Sequence, residues 1–152
     1  MDDPNVTLRE VTPEDVAVFY EHQRDDESSR MAAFPARDRA AHAAHWRKIL
    51  ADETVVTRTV LLGSRVAGNV VSWDDGTHRL VGYWIDRRYW GRGIATAALA
   101  HLLELVPERP LHAHVAAHNA GSIRVLEKCG FRRTGAGEAH DGFVDVLMEL
   151  GG

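Results

Sequence analysis

Several protein classes are excluded by what this sequence lacks. The chain has a single cysteine, Cys129, so it cannot form a disulfide framework within itself. No run of 18 or more apolar residues is present, which argues against a transmembrane helix. The first residues are acidic and polar and no apolar segment follows, so we expect no signal peptide and a cytoplasmic protein. The formal net charge is -4 without a basic block, so nucleic-acid binding is not expected.

What remains is the composition of an ordinary globular protein. The chain contains 152 residues, of which 45% are hydrophobic and 26% are charged. A chain of this length buries roughly 70% of its unfolded surface on folding, which allows a proper core. No internal repeat, low-complexity tract or long linker interrupts the sequence. We therefore expect one domain over residues 1–152.

The first half of the chain predicts one strand, two helices and an antiparallel meander. A strand is expected at residues 6–11, followed by a helix start, because Thr12 can cap the first turn and Pro13 fits it. Residues 24–37 are charged and irregular, and a second helix is expected at 39–50. β-branched residues predict strands at 55–62, 66–73 and 78–85, joined by hairpin turns at Gly63-Ser64 and Asp75-Gly76.

The second half predicts helices alternating with strands. Apolar residues recur at helical spacing in residues 93–106 and 119–129, and Gly130 is the expected end of the second helix. Strands are expected at 111–115, 131–134 and 143–150, with a glycine-rich loop between the last two. The order indicates a mixed α/β (α+β) fold with about four helices and a mostly antiparallel sheet. One crossover predicts a single parallel pair, formed by strands 78–85 and 111–115.

Two glycines mark the segment with the clearest chemical meaning. Gly91 and Gly93 lie in the turn between a predicted strand and the helix that follows it. The first N–H groups of a helix have no internal partner and lie at its positive end, so this turn predicts a phosphate site to which Arg92 would add charge. A plain tight turn explains the glycines equally well. The dinucleotide fingerprint and the Walker loop are both excluded, because their further glycine and lysine positions are missing.

Two motifs in this order resemble those of the GNAT superfamily of N-acetyltransferases. Residues 90–95, Trp-Gly-Arg-Gly-Ile-Ala, are similar to its pyrophosphate loop, Gln/Arg-x-x-Gly-x-Gly/Ala, although Trp90 departs from the first position. Residues 119–131 resemble its Asn-x-x-Ser helix, which ends in Gly-Phe. Residues 82–85, Gly-Tyr-Trp-Ile, are similar to the branch that contains the ribosomal-protein N-terminal acetyltransferases. The resemblance implies a GNAT-like fold and transfer of an acetyl group from acetyl-CoA to a primary amine.

The resemblance also implies a set of cofactor-binding residues. Backbone groups of the strand before the loop would pair with the pantetheine arm, and the N–H groups of the loop would hold the pyrophosphate. Asn119 would bind the arm and Ser122 would lie near the thioester sulfur. Arg124 and Lys128 either contact the adenine-ribose end or are solvated helix charges. The expected cofactor-binding residues are Tyr83, Trp84, Ile85, Gly91, Arg92, Gly93, Ile94, Ala95, Thr96, Asn119, Ser122 and Arg124.

The resemblance implies direct attack of the amine on the thioester, which requires an acid and a base. Many family members place a tyrosine seven residues after the asparagine, but that position is Leu126 here. Ser122 is therefore the candidate acid, unless its hydroxyl bonds its own helix backbone. His114 is the candidate base and water is a further alternative. Other candidate bases are His112, His118, Glu27, Asp74, Asp141 and Asp145.

The acceptor side is less defined by the sequence. Glu27, Arg30 and Met31 are expected to contact the acceptor, together with the loop at 135–142. Phe34 and Trp46 are further candidates, although core packing explains both at least as well. No metal site is expected, because His114 and His118 straddle a strand end. The acceptor is a small-molecule amine or a protein N-terminus, and a homodimer is left open. Two alternatives are a non-catalytic acyl-CoA-binding sensor and an interaction domain without a CoA site.

Overall fold

The computed structural model describes residues 5–33, 36–140 and 143–151. Within these ranges the chain forms seven strands, five α-helices and a short 3-10 helix at Arg87–Tyr89. The strands are β1 (Val6–Arg9), β2 (Val56–Leu62), β3 (Arg65–Asp74), β4 (Arg79–Ile85), β5 (Leu111–Ala116), β6 (Arg132–His140) and β7 (Phe143–Leu150). The helices are α1 (Pro13–Gln23), α2 (Asp26–Ala32), α3 (Arg39–Ala51), α4 (Ile94–Leu105) and α5 (Ala120–Lys128).

All seven strands form one mixed sheet in the order β1-β2-β3-β4-β5-β7-β6. Every neighbouring pair is antiparallel except β4 and β5, which confirms the predicted fold class and its single parallel pair. Among the described residues, β4 and β5 pair only at Arg79 with Leu111 and at Leu80 with His112. Beyond these pairs the two strands diverge, and the sheet is open at its centre.

The helices cover both faces of the sheet. Side chains alternate along a strand, so the neighbours Thr59 and Val60 of β2 point to opposite faces. The Thr59 hydroxyl donates to Asp15 of α1 over 2.7 Å, whereas Val60 is fully buried in the cluster that contains Leu99 and Leu102 of α4. Helix α4 also packs on α5. One face therefore carries α4 and α5, and the other carries α1 with its neighbours α2 and α3.

The start of α1 confirms the predicted cap and adds a buried carboxylate. Thr12 accepts a hydrogen bond from the Asp15 backbone N–H, and the Asp15 side chain accepts one from Thr12 N, which completes a capping box. Arg9 donates two hydrogen bonds to the same carboxylate, at 2.5 and 3.0 Å. Burial would raise the pKa of Asp15, but the hydrogen bonds from Arg9, Thr12 and Thr59 outweigh burial and hold that pKa at about 2.

Residues 24–37 are not irregular as predicted, because helix α2 lies within them. The Asp25 side chain caps this helix by accepting from Ser28 N over 2.9 Å, and Ala33 ends it in the left-handed conformation at φ 55°. Helix α2 brings the total to five, one more than the sequence predicted. Trp46 of α3 is 5% exposed and packs on Phe19 at 4.9 Å between ring centroids, which supports its core interpretation. Phe34 lies outside the described residues.

The β6–β7 hairpin differs from the prediction in length, and the β3–β4 hairpin differs in position. Strand β6 does not end at Thr134 but continues through the glycine-rich residues to His140, with register shifts against β7 that accommodate them. The β3–β4 loop spans residues 75–78, one position beyond the four residues 74–77 that the predicted strands left between them, and the Asp75 carboxylate accepts there from the backbone of Thr77 and His78. No helix of the described part of the chain is long and apolar enough to cross a membrane.

Candidate active site

The divergence of β4 and β5 opens a cavity of about 560 Å³ at the centre of the sheet. Its walls come from the end of β4, the start of α4, the start of α5 and one side of α2. The lining residues are Ser28, Met31, Ala32, Tyr83, Trp84, Ile85, Tyr89, Trp90, Gly91, Gly93, Ile94, Ala95, Thr96, His118, Asn119, Ala120, Gly121, Ser122, Arg124, Val125 and Lys128. Every predicted cofactor-binding residue is among them except Arg92, whose guanidinium lies 5.8 Å from the centre of the Tyr89 ring.

The start of α4 is built to present backbone N–H groups to this cavity. Gly91 and Gly93 adopt φ values of 77° and 78°, which L side chains rarely adopt. Gly93 is the residue before the helix and has no side chain to cap it, so the first N–H groups of α4 have no side-chain partner there. Ile94, Ala95 and Thr96 of this first turn all line the cavity. The turn therefore offers a positive helix end with uncapped donors, as an anion site requires.

Trp90, which departs from the family pattern in the sequence, has a defined position in the structure. Its indole Nε1 donates to the Ile85 carbonyl over 2.9 Å. This bond ties the glycine turn to the end of β4, while Asp86 caps the intervening 3-10 helix by accepting from Arg88 N. The tryptophan thus fixes the turn against the strand that forms the opposite wall of the cavity.

A hydroxyl pair joins the β4 wall to the α5 wall. The Tyr83 Oη and Ser122 Oγ atoms are 2.5 Å apart, and Tyr83 Oη also lies 3.3 Å from the Ser122 carbonyl. Burial raises the pKa of Tyr83 to about 12, although the bond with Ser122 opposes this. The Ser122 hydroxyl therefore contacts a phenol across the cavity wall. Leu126, where the family pattern has a tyrosine, is 2% exposed in the core and does not line the cavity.

Asn119 has a structural role that restricts its predicted one. Its Oδ1 accepts from Ser122 N over 3.1 Å and caps α5. The side-chain oxygen is therefore engaged within the helix turn, and contact with a ligand falls to the amide nitrogen. Arg124 and Lys128 lie further along α5 and bring two cationic side chains to the same cavity.

The structure places His118, but not His114, at the cavity. His118 lines it, and its Nε2 is 2.9 Å from the Arg30 carbonyl of α2. His114 is an exposed residue of β5 outside the lining. His112 lies against His78, with 3.9 Å between ring centroids, and 3.5 Å from Glu149, also away from the cavity.

The described carboxylates among the candidate bases, Glu27, Asp74 and Asp145, do not line the cavity. Asp74 is at the exposed end of β3, and Asp145 pairs with Ala116 where β7 meets β5. Glu27 forms an ion pair with Arg30 on α2, and neither side chain lines the cavity. Asp141 lies outside the described residues. Among the residues that the structure does describe, no group of three or more His, Cys, Asp or Glu is arranged to hold a metal ion.

Helix α2 forms one wall of the cavity, and only one of the three residues predicted to contact the acceptor lies on that wall. Met31 lines the cavity together with Ser28 and Ala32. Ser28 and Ala32 were missed because the sequence of α2 is short and mostly polar, so its inward face has no clear apolar period. The Asp25 cap was the one signal that could have revealed the helix. The side chain of Tyr83 was also missed, since its expected contribution was limited to the backbone.

These features together define the architecture of an acyltransferase domain: a mixed sheet that opens between its parallel strands, beside a glycine-capped helix start. The family model described as acetyltransferase (GNAT) domain matches residues 5–132. That range covers most of the chain, and the chain belongs to this family.

Individual relatives agree with this assignment. The probable N-acetyltransferase YjcK of Bacillus subtilis (strain 168) is 41% identical over 59 residues, which are 36% of this chain and 33% of that protein. The match thus spans about a third of that curated relative.

Solved structures establish the fold over nearly the whole chain. AAC(6')-Ib in complex with ribostamycin and coenzyme A is 23% identical, with a TM-score of 0.78 over 97% of this chain and 93% of that chain. Spermidine N-acetyltransferase from Vibrio cholerae in complex with CoA and spermine is 15% identical, with a TM-score of 0.82 over 97% and 96% of the two chains. At these identities the likeness supports the fold alone.

Proposed function

We propose that this protein transfers an acetyl group from acetyl-CoA to a primary amine by direct attack in a ternary complex. The observation that carries the proposal is the uncapped start of α4, which faces a cavity formed where β4 and β5 separate. Two of the structurally similar proteins were solved as complexes that contain coenzyme A with an amine compound, ribostamycin or spermine. Membership of the GNAT family supports the same activity.

The cavity fits the parts of acetyl-CoA one by one. The N–H groups of the first turn of α4, from Gly93 to Thr96, suit the pyrophosphate. Arg124 and Lys128 add positive charge for the remaining phosphate and ribose. Beyond Leu80 the edge of β4 has no β5 partner, so backbone groups of Tyr83 and Trp84 suit the amides of the pantetheine arm.

Within this cavity the cosubstrate supplies the activated acyl group, and the chain positions it and moves protons. We propose Ser122 as the hydrogen-bond donor to the departing sulfur, since it lines the cavity and has a hydroxyl partner in Tyr83. The acetyl oxygen gains charge during attack and needs preorganised donors. Backbone N–H groups at the end of β4 are the proposed source.

We propose His118, rather than His114, as the group that takes a proton from the amine. Histidine is the usual side chain for proton transfer near neutral pH. Its Nε2 atom contacts the Arg30 carbonyl, which only accepts, so Nε2 carries the hydrogen in that contact. His118 also lies where the α2 wall meets the start of α5, between the acceptor and cofactor sides. Water is the alternative, and loss of most activity in His118→Ala with retained CoA affinity would favour the histidine.

For the acceptor we propose a small primary amine with a mainly uncharged body. Among the described residues that line the cavity, none is Asp or Glu, whereas Met31, Ala32 and Trp84 present apolar surface. The Trp84 Nε1 atom is buried without a hydrogen-bond partner among those residues, which suits an oxygen on the acceptor. A polycation would find no counter-charge on the part of these walls that the structure describes. A protein N-terminus, as in the ribosomal-protein branch, has the same chemistry and is the second acceptor to test.

The experiment is a free-thiol release assay with acetyl-CoA across a panel of amines. The panel contains uncharged-body monoamines, short peptides with free N-termini, spermidine and an aminoglycoside. We expect turnover with the first two groups and at least tenfold lower kcat/KM with the polycations. Binding of CoA without thiol release by any amine would support the sensor alternative and contradict the proposed enzyme.

A further inference from the structure

The contact between Tyr83 and Ser122 joins two hydroxyl groups on opposite walls of the cavity. Tyr83 extends from β4 and Ser122 from the first turn of α5, and both line the cavity. Their oxygen atoms are 2.5 Å apart, at the short end of the range for hydroxyl pairs. A serine in a helix ordinarily turns its hydroxyl back to a carbonyl of the preceding turn. Here the phenol offers Ser122 a partner outside the helix.

Counting protons gives two arrangements of this pair. In the first, Tyr83 donates to Ser122 Oγ, and the serine proton remains to be donated elsewhere. In the second, Ser122 donates to Tyr83 Oη, and the phenol donates to the Ser122 carbonyl at 3.3 Å. In the first arrangement the phenol donates across the shorter contact, and the Ser122 hydroxyl is left to donate to a group in the cavity. Negative charge in the cavity favours this arrangement, because each bond of a hydroxyl chain polarises the next.

We propose that Tyr83 is a positioning residue that holds the Ser122 hydroxyl as a hydrogen-bond donor to the leaving sulfur. This inference rests on the proposed acetyl transfer and assigns a role to a side chain whose backbone alone was expected to act. The tyrosine lies on β4 instead of α5, and the core position of Leu126 excludes the α5 alternative in this chain.

The Tyr83–Ser122 pair keeps its own protons throughout the transfer step that it assists. The amine nitrogen bonds the acetyl carbon, the carbon–sulfur bond breaks, and the sulfur leaves as a thiolate that accepts a hydrogen bond from Ser122. The nitrogen loses one proton and the thiolate gains one through solvent or His118. Tyr83 stays neutral, in agreement with its raised pKa of about 12. The hydroxyl pair therefore stabilises charge rather than supplying the proton itself.

The first test measures binding and needs no turnover. CoA and desulfo-CoA, in which hydrogen replaces the thiol, are titrated into the whole chain at pH 7 and pH 9.5. The thiolate fraction of unbound CoA is negligible at pH 7 and substantial at pH 9.5, since thiols ionise above about pH 8.5, the value for the cysteine side chain. We expect the wild type to prefer CoA over desulfo-CoA by about tenfold at pH 9.5 and less at pH 7, as one hydrogen bond to a charged group allows.

Variants of Tyr83 and Ser122 distinguish a positioning role of Tyr83 from a role in packing alone. Ser122→Thr keeps a hydroxyl and should keep the preference for CoA, whereas Ser122→Val, which has the shape of the threonine variant without the hydroxyl, should lose it. Tyr83→Phe should reduce the preference to twofold or less, while its affinity for desulfo-CoA stays within twofold of the wild type. Tyr20→Phe, on α1 and outside the cavity lining, is the matched control. A packing role would lower both affinities equally and would contradict the proposal.

The second test is kinetic. Tyr83→Phe and Ser122→Val should each lower kcat about tenfold with KM for acetyl-CoA within twofold, and the double variant should be no slower than Ser122→Val alone. Additive losses, or an unchanged kcat in Tyr83→Phe, would overturn the proposal while the wild-type activity still supported the transferase. A wild type that binds neither CoA nor desulfo-CoA would instead overturn the proposed function.

Discussion

The two walls of the cavity are built in different ways. The first, which we call the backbone wall, uses a helix start, a strand edge and two glycines at positive φ, so its donors are mostly backbone groups. The second, which we call the side-chain wall, is one side of α2, where Ser28, Met31 and Ala32 present side chains. Backbone recognition restricts which residues can occupy a turn and leaves a pattern in the sequence. Side-chain recognition on a helix leaves almost none, which is why the first wall was predictable and the second was not.

The largest expected effect tests the backbone wall. Gly93→Asp should abolish CoA binding, with a loss of affinity above about a hundredfold, because it puts a carboxylate where a phosphate is expected and strains a φ of 78°. The measurement is the rise in melting temperature on adding CoA, which should vanish in this variant. Gly76→Asp is the matched control, since it adds the same charge at a positive φ of 95° in a hairpin away from the cavity. Equal CoA responses in the two variants would remove the α4 turn as the site.

The second test acts on the strand behind that wall. A Cβ at Gly68 of β3 would lie 2.1 Å from the Trp84 carbonyl and 2.9 Å from Ile85 Cα, so Gly68→Ala must displace β4 or unfold it. We expect a loss of about 3 kcal/mol and a melting temperature lower by roughly 6–12 °C. Gly135→Ala on β6 meets nothing within 4 Å and should change little. Thermal unfolding measures both, and equal melting temperatures would show that β3 and β4 are not packed as described.

The third test concerns the support of the side-chain wall, since α2 follows directly from α1. Asp15 has a depressed pKa of about 2, so its contribution to stability is fully present above pH 4 and is lost as the pH falls towards 2. Asp15→Asn should therefore lower the free energy of unfolding by about 2 kcal/mol at pH 7. The difference from wild type should shrink below pH 4 and close near pH 2. Denaturant unfolding across this range checks it, and a difference independent of pH would contradict the assigned network.

The smallest effect is expected on the side-chain wall itself. Met31→Ala should raise KM for the amine about fivefold and leave KM for acetyl-CoA within twofold, because Met31 lines the cavity on the α2 side only. Glu27→Gln should change neither constant beyond twofold, since Glu27 pairs with Arg30 away from the cavity. Steady-state kinetics with the best amine of the panel separates the two. A larger effect from Glu27 would restore the carboxylate to the acceptor site that the sequence suggested.

Much of the fold follows from local signals in the sequence. The Thr12 cap, the alternating β-branched strands and the crossover to β5 predicted the sheet and its one parallel pair. Helix α2 was missed because its sequence is short and mostly polar, without a clear apolar period. Strand β6 was predicted too short because its glycines indicated a loop, whereas register shifts accommodate them in the strand. Boundaries of this kind depend on pairing with distant residues, which local propensity does not contain.

The site shows the same division between local and tertiary information. The glycine turn and the Asn119–Ser122 motif were readable because each is contiguous in the chain. The Tyr83–Ser122 contact joins residues 39 positions apart, and the choice of His118 over His114 depends on where β5 ends and α2 packs. Neither the Tyr83–Ser122 contact nor the position of His118 can be predicted from residue spacing along the chain. Leu126 also illustrates this, because only the structure shows that its position on α5 faces the core.

The central claim is that the cavity beside the α4 turn holds acetyl-CoA, and calorimetric titration of the wild-type chain tests it most directly. We expect saturable binding at one site per chain, with a dissociation constant between about 1 μM and 1 mM, the range usual for enzyme substrates. The titration is made at two temperatures, so that a binding enthalpy of zero at one of them is not mistaken for no binding. No binding heat at either temperature with millimolar acetyl-CoA would contradict the account.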